Sequence, residues 1–200
     1  VFALTVYDGE LIAGGGFITA GGIATKSIAR WDGSTWQALG SGMNMAYAPW
    51  VYILTVYNGE LIAGGGFTIA GSIAANYIAR WDGSNWNALG SGINHSISAF
   101  MIYNNGLIAG GYFPYVACRE GNSWQSLGSG MSGYYDYPFI NNLTVYNGQL
   151  VAGGSFVTGS GVDANNIALW DGSSWQPLGS GMSGYYHSVG ALTVYNGELI

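Results

Sequence analysis

Two blocks of sequence alternate along the whole chain, and a fixed internal repeat of this kind limits the fold more than any composition does. The first block, LTVYDGELIAGGGF at residues 4–17, returns as LTVYNGELIAGGGF at 54–67, FMIYNNGLIAGGYF at 100–113 and LTVYNGQLVAGGSF at 143–156. A fifth copy, LTVYNGELI, occupies residues 192–200. The second block is IARWDGSTWQALGSGM at 28–43, followed by IARWDGSNWNALGSGI at 78–93, VACREGNSWQSLGSGM at 116–131 and IALWDGSSWQPLGSGM at 167–182. The marker tyrosines Tyr7, Tyr57, Tyr103, Tyr146 and Tyr195 stand 50, 46, 43 and 49 residues apart. Constant blocks at uneven spacing imply one supersecondary unit with insertions in its loops.

Each unit reads as four short strands. Tyr-Asp-Gly or Tyr-Asn-Gly between two apolar runs signals a tight hairpin, because Asn and Asp tolerate the left-handed backbone region and Gly enters it freely. The third copy, Tyr-Asn-Asn-Gly at 103–106, is expected to add a residue to this turn. Trp-Asp-Gly-Ser-x-Trp supplies a second hairpin, flanked by Trp31 and Trp36, Trp81 and Trp86, and Trp170 and Trp175. No helix of normal length fits between these turn signals. A single four-stranded unit cannot bury its own faces, so successive units must pack face to face, and a ring of blades does this for twisted antiparallel sheets. The expected fold is therefore all-β, a β-propeller with four full four-stranded antiparallel blades at 1–50, 51–97, 98–139 and 140–188 and a partial fifth at 189–200. Trp36, Trp86, Trp124 and Trp175 are expected to be buried between blades, with strand one innermost.

An apolar strand ending in Gly-Gly, an aromatic after Ala-Arg and a Trp about five residues further on resemble the kelch repeat, the blade motif of the galactose-oxidase central domain and of kelch adaptor proteins. The matching glycines are Gly14 and Gly15, Gly64 and Gly65, Gly110 and Gly111, and Gly153 and Gly154. Trp31, Trp81 and Trp170 fill the kelch Tyr position, and Arg119 fills it in the third unit, which makes that blade the least regular. The resemblance implies kelch-like blades. It does not extend to the copper site of galactose oxidase, because the chain has two histidines and its lone cysteine, Cys118, sits in a strand. Kelch propellers host many unrelated activities, so the fold alone assigns none.

Charge narrows the partners. The chain has a net charge of −6 with four basic residues, Lys26, Arg30, Arg80 and Arg119, and nucleic acid recognition needs a basic patch to displace counterions. Anionic membrane surfaces are disfavoured in the same way, and no apolar run reaches the ~20 residues of a spanning helix. Charged residues make up only 7% of the chain, well below a usual soluble surface. The surface must then be Gly, Ser, Asn, Thr and Tyr, a composition typical of extracellular β-proteins and of surfaces that self-associate. Cys118 replaces the Arg of the first two units and reads as a small buried hydrophobe at a blade–blade contact. The fifth copy stops inside its second strand. The expectation is that the protein continues beyond Ile200, the alternative being that this half blade pairs with another molecule through open sheet edges.

No catalytic constellation is apparent, and neither a metal site nor a cofactor is expected. Asp8, Asp32, Asp82 and Asp171 are turn residues, while Asp136 and Asp163 lie singly in variable loops and make no acid/base pair. His95 and His187 occupy equivalent places two units apart and are not expected to share a metal. The Gly-rich AGGG runs lack the helix and Lys of a phosphate loop. Asn94-His95-Ser96 and Asn142-Leu143-Thr144 fit the N-glycosylation pattern. The stronger signal is an asymmetry between the two ends of each blade. The one-to-two and three-to-four turns are short and nearly constant, whereas the two-to-three and four-to-one loops are long and variable, and the latter are aromatic. Tyr47, Trp50, Tyr134, Tyr135, Tyr137, Tyr185 and Tyr186 are the expected ligand-binding residues, since Tyr and Trp among Asn, Ser and Gly contact sugars or proteins at low entropic cost. The expected function is a non-catalytic extracellular or cell-surface binding or adhesion propeller that recognises a glycan or a protein. The alternatives are the structural subunit of a self-assembling surface fibre or larger assembly, and the non-catalytic part of a larger secreted enzyme.

Overall fold

The computed structural model describes residues 1–45, 48–133, 138–183 and 188–200. Every regular element among the described residues is a β-strand, and the strands build small antiparallel sheets, a four-stranded one for each full repeat and four smaller ones of two or three strands. The chain divides into two compact units, residues 1–97 with 121–123, and residues 98–120 with 124–200.

The first unit holds two four-stranded sheets with strands in chain order across the sheet. Ala3–Tyr7, Glu10–Gly14, Ile28–Trp31 and Trp36–Ala38 form one, and Trp50–Tyr57, Glu60–Gly66, Ile78–Trp81 and Trp86–Ala88 form the other. The first hairpin closes where Tyr7 pairs with Glu10, leaving Asp8 at φ 51° and Gly9 at φ 78° as a two-residue turn, the left-handed geometry that matches strand twist. The second hairpin pairs Trp31 with Trp36 and Trp81 with Trp86, ring centroids 5.5 and 5.3 Å apart. Strand two is the spine of the second sheet. From Leu61 to Gly66 every residue is buried, as a continuous apolar run covered on both faces requires.

Glycine in that spine lets the next repeat approach. A Cβ on Gly14 would lie 2.5 Å from Val51 Cγ1 and 3.3 Å from Leu54 Cδ1, so the first strand of the second repeat rests on bare backbone of the first. A bulge at Tyr52 shifts the register between Val51 and Ile53. It brings the Trp50 carbonyl against Gly65, where any side chain would collide with it. Both glycines are therefore explained by close approach rather than by turn geometry.

The second unit repeats the plan. Ile97–Tyr103, Gly106–Gly111, Val116–Glu120 and Ser123–Leu127 form one sheet, Phe139–Tyr146, Gln149–Ser155, Ile167–Trp170 and Trp175–Pro177 the other. Ile140 sits on Gly110, and Val189 and Leu192 sit on Gly153, with would-be Cβ contacts of 2.6 Å to Ile140 Cγ2 and to Val189 Cγ1. Asn141 forms the matching bulge. The fifth copy adds a two-stranded hairpin, Val194–Tyr195 with Glu198–Leu199.

Three expectations need correction. Tyr-Asn-Asn-Gly adds no residue: Asn104 at φ 49° and Asn105 at φ 61° form a two-residue turn, and Gly106 takes the place of Glu10 at the start of the next strand. The two-to-three loops are not simply variable. Three of them carry a small hairpin, Thr19–Ala20 with Ile23–Ala24, Ile69–Ala70 with Ile73–Ala74, and Thr158–Gly159 with Val162–Asp163. The Gly-Ser-Gly-Met run of the repeat before clips onto two of these, Met43–Asn44 on Ile69–Ala70 and Met131–Ser132 on Thr158–Gly159. Finally, Trp86 and Trp175 are buried but Trp36 and Trp124 are only half-buried. The latter two lie in the first repeat of their unit, where no preceding repeat of that unit covers them.

Candidate functional site

The antiparallel order places the one-to-two and three-to-four turns at one end of every sheet and the remaining loops at the other. The two ends differ in chemistry. All the described carboxylates except Asp163 flank the short turns. Asp32 Oδ1 accepts the backbone N–H groups of Ser34 and Thr35 at 2.9 and 2.8 Å, and Asp171 and Asp82 do the same in their repeats. These bonds, led by those from Thr35, Asn85 and Ser174, hold the Asp32 and Asp171 carboxyls well below the usual carboxylate range and lower that of Asp82. Such acids are committed to their turns.

Among three short turns of the first unit lies an open groove of about 440 Å3 lined by Val6, Tyr7, Asp8, Val56, Gly59, Asp82 and Gly83. Burial, then the charges of Asp8, Glu60 and Asp82, pushes the Tyr7 hydroxyl above its ordinary value. Among the described residues no three His, Cys, Asp or Glu gather as a metal site.

The long-loop end carries the exposed aromatic rings of the full repeats, Phe2, Trp50 and Tyr112, whereas the paired Trp residues and the marker Tyr residues flank the short turns. Trp50, the one expected contact residue inside the described segments, is 43% exposed. Its ring leans on Tyr52 at 5.8 Å and 59°, and Tyr52 in turn meets Phe2 at 5.6 Å. Gly16 lies beneath the indole: a Cβ there would stand 2.8 Å from Trp50 Cδ1. In the second unit Tyr112 stacks on Phe139 at 5.4 Å and 20°. Tyr47, Tyr134, Tyr135, Tyr137, Tyr185 and Tyr186 lie outside the described residues.

Phe2, Tyr52 and Tyr112 were not singled out by sequence reasoning. Their only signal is that Phe2 and Tyr52 share one repeat position and that Tyr112 stands where the first two repeats have Gly16 and Gly66. The opposite pattern holds for the glycosylation triplets. Asn94 is exposed in a bend, whereas Asn142 lies in the strand Phe139–Tyr146 with Thr144 buried.

The Arg and Glu of the repeats also sort by position. Arg30 Nη1 meets Glu10 Oε2 at 3.2 Å, and Arg80 pairs with Glu60 in the second repeat. Cys118 and Gly106 fill the same two places in the third, where a Cβ on Gly106 would lie 3.4 Å from the Cys118 sulfur. Loss of both partners together leaves no unpaired charge.

No protein-family model and no curated protein matches the sequence. Among solved structures the chain is similar in fold to two crystallised proteins of computational design. The Ika4 protein aligns with a TM-score of 0.52 at 12% identity, over 84% of this chain and 89% of that one. The Ika8 protein aligns with a TM-score of 0.55 at 15% identity, over 98% of this chain and 52% of that one, so this chain spans about half the length of Ika8. At such identities the likeness concerns the fold alone, a repeated β architecture.

Proposed function

We propose that the chain is a non-catalytic recognition module of β-propeller type, its repeats acting as kelch-like blades with strand one innermost, which holds a glycan or a protein against its long-loop end at an extracellular or cell-surface position. The observation that carries this reading is the segregation of chemistry along each sheet. Carboxylates cluster at the short-turn end, where they brace turns, while in the four full repeats the exposed aromatic rings Phe2, Trp50 and Tyr112 lie at the other; Tyr195 of the fifth copy, exposed beside its short turn, stands apart from this pattern. Rigid loops on a scaffold are the usual seat of recognition, and tethered Trp and Tyr rings offer contact area at small entropic cost. The repeated seating of one repeat's first strand on the glycine of the repeat before supports the blade reading.

The experiment is a glycan array probed with labelled chain and with Trp50→Ala. Signal on a defined set of glycans that Trp50→Ala loses, at unchanged thermal midpoint, is the expected result. An array without signal for the native chain would leave protein ligands as the remaining partner class.

A second reading has its own observation. Leu4 is 60% exposed while Leu54 and Leu143, its equivalents in later repeats, are buried. An apolar strand face of this kind suits a larger assembly in which another copy covers it. Native mass measurement of the chain and of Leu4→Ser tests it: a large particle that the substitution dissociates supports assembly, and an unchanged monomer refutes it.

A further inference from the structure

We infer that the chain carries two equivalent subsites for an uncharged hexose, one in each unit, built where an even-numbered repeat lays an aromatic ring on the edge of the repeat before it. The inference rests on the recognition reading above and gives it a ligand class and a stoichiometry.

The equivalence is positional. Val51 and Ile140 are the residues seated on Gly14 and Gly110, and the residues immediately before them are Trp50 and Phe139. Beneath Trp50 lies Gly16, and beneath Phe139 lies Tyr112, the residue at the same place in its repeat. One junction is therefore an indole on bare backbone, the other a phenyl ring on a phenol. Trp50 and Tyr112 are exposed, at 43% and 46%. At the other two junctions the ring position is Ser96 or Ser188. Ser188 is spent within the fold, accepting from Asn141 Nδ2 at 2.9 Å. Ring placement thus alternates with a two-repeat period, and a core role common to all repeats would not alternate.

The ligand class follows from what surrounds the rings. Each unit keeps its described carboxylates, Asp163 apart, at the far end of the sheets, and Arg30 and Arg80 are committed to glutamates. Lys26, exposed in the two-to-three loop of the first repeat, is the one described Lys or Arg at the long-loop end and has no counterpart there in the second unit, so a charged ligand would find no counter-charge common to both subsites and would lose solvation on docking. A hexose has an apolar C–H face that a flat aromatic ring covers, while its hydroxyls remain in water or reach loop backbone. Two weak subsites in one chain favour ligands that display such units repeatedly.

Isothermal titration and ligand-observed NMR with methyl β-glucoside, methyl β-galactoside, methyl α-mannoside and methyl N-acetyl-β-glucosaminide test this, with 3′-sialyllactose as the charged probe. At least one methyl glycoside should bind at two sites per chain. Trp50→Ala and Tyr112→Ala should each reduce this to one, and the double variant to none, while Trp50→Phe keeps two. Tyr112 is exposed, so its variant reports on the second subsite without touching the core. One site in the native chain, two in Trp50→Ala, or tighter binding of 3′-sialyllactose than of every neutral probe overturns the inference. If no methyl glycoside binds but larger glycans bind on the array and Trp50→Ala abolishes that signal, the subsites are refuted and the recognition reading stands. Failure of both removes glycans altogether.

Discussion

The indole Nε1–H of Trp86 donates to the carbonyl oxygen of Leu39 at 3.0 Å, across 47 residues, and Trp175 makes the same bond to Leu127 at 2.9 Å. Each bond ties a repeat to the one before it within a unit, and Gly40 and Gly128 leave room for the ring. Replacing Trp175 with Ala should cost about 3–5 kcal/mol. Trp86→Phe, which leaves the buried Leu39 carbonyl only the longer 3.4 Å bond from the Gly42 N–H, should cost about 1–3 kcal/mol. Trp36→Ala should cost clearly less than Trp175→Ala, because Trp36 has no earlier repeat of its unit above it. Urea denaturation measures all three, and equal losses for Trp36 and Trp175 would refute the explanation given for their unequal burial.

The turn aspartates make stability depend on acid. Asp32, Asp82 and Asp171 titrate lower in the folded chain than in the unfolded one, because Thr35, Asn85 and Ser174 and their neighbours donate to the ionised form. A depressed carboxyl contributes stability that is fully present above the unfolded value of about 3.9 and is lost progressively as pH falls from there through the lower folded value. The thermal midpoint should therefore drop between about pH 5 and about pH 2. A triple variant with Ala at positions 32, 82 and 171 should start lower at neutral pH and fall less over that interval.

Much of this was legible in the sequence, and the reasons are local. Tyr-Asp-Gly and Trp-Asp-Gly-Ser-x-Trp are self-contained turn signals, so the strands around Tyr7 and Trp31 and their chain-order pairing could be placed without tertiary knowledge. The Ile69–Ala70 and Ile73–Ala74 hairpin could not, since two-residue strands are too short to show alternation. Its partner, Met43–Asn44, is set by packing between repeats. The constant Gly-Ser-Gly-Met run was visible but had no assigned role; Gly42 at φ 72°, pressed against the Thr25 carbonyl, shows that it is the return leading to that clip. At the site, Trp50 was found from its place in an aromatic four-to-one loop. Phe2 and Tyr52 were missed because the bulge that brings them together depends on the pairing of Val51 and Ile53 with Gly65 and Gly64.

Cys118 should be a slow thiol. Burial, and then the negative charge of Glu120, raises its pKa, which lowers the thiolate fraction at neutral pH. Its alkylation by iodoacetamide near pH 7.5 should run several-fold slower than that of glutathione under the same conditions, followed by mass spectrometry. Restoring the lost pair with Gly106→Glu and Cys118→Arg should change stability by no more than about 1 kcal/mol, since part-exposed ion pairs contribute little.

The glycines of the spine separate two kinds of close approach, and a pair of double-mutant cycles tells them apart. A methyl on Gly14 meets the side chain of Val51, whereas one on Gly65 meets the backbone carbonyl of Trp50. Gly14→Ala should cost about 1–3 kcal/mol by overpacking. Trimming Val51 to Ala removes the atom in the way, so the double variant should be more stable than the sum of the single changes predicts, by about 0.5–3 kcal/mol. Gly65→Ala should cost at least as much, and Trp50→Ala should not relieve it, because the obstructing oxygen belongs to the main chain. Their effects should add to within about 0.5 kcal/mol. Additivity in the Gly14–Val51 cycle would show that the second repeat does not rest on the first in the way described. Strong relief in the Gly65–Trp50 cycle would show that the bulge at Tyr52 can give way.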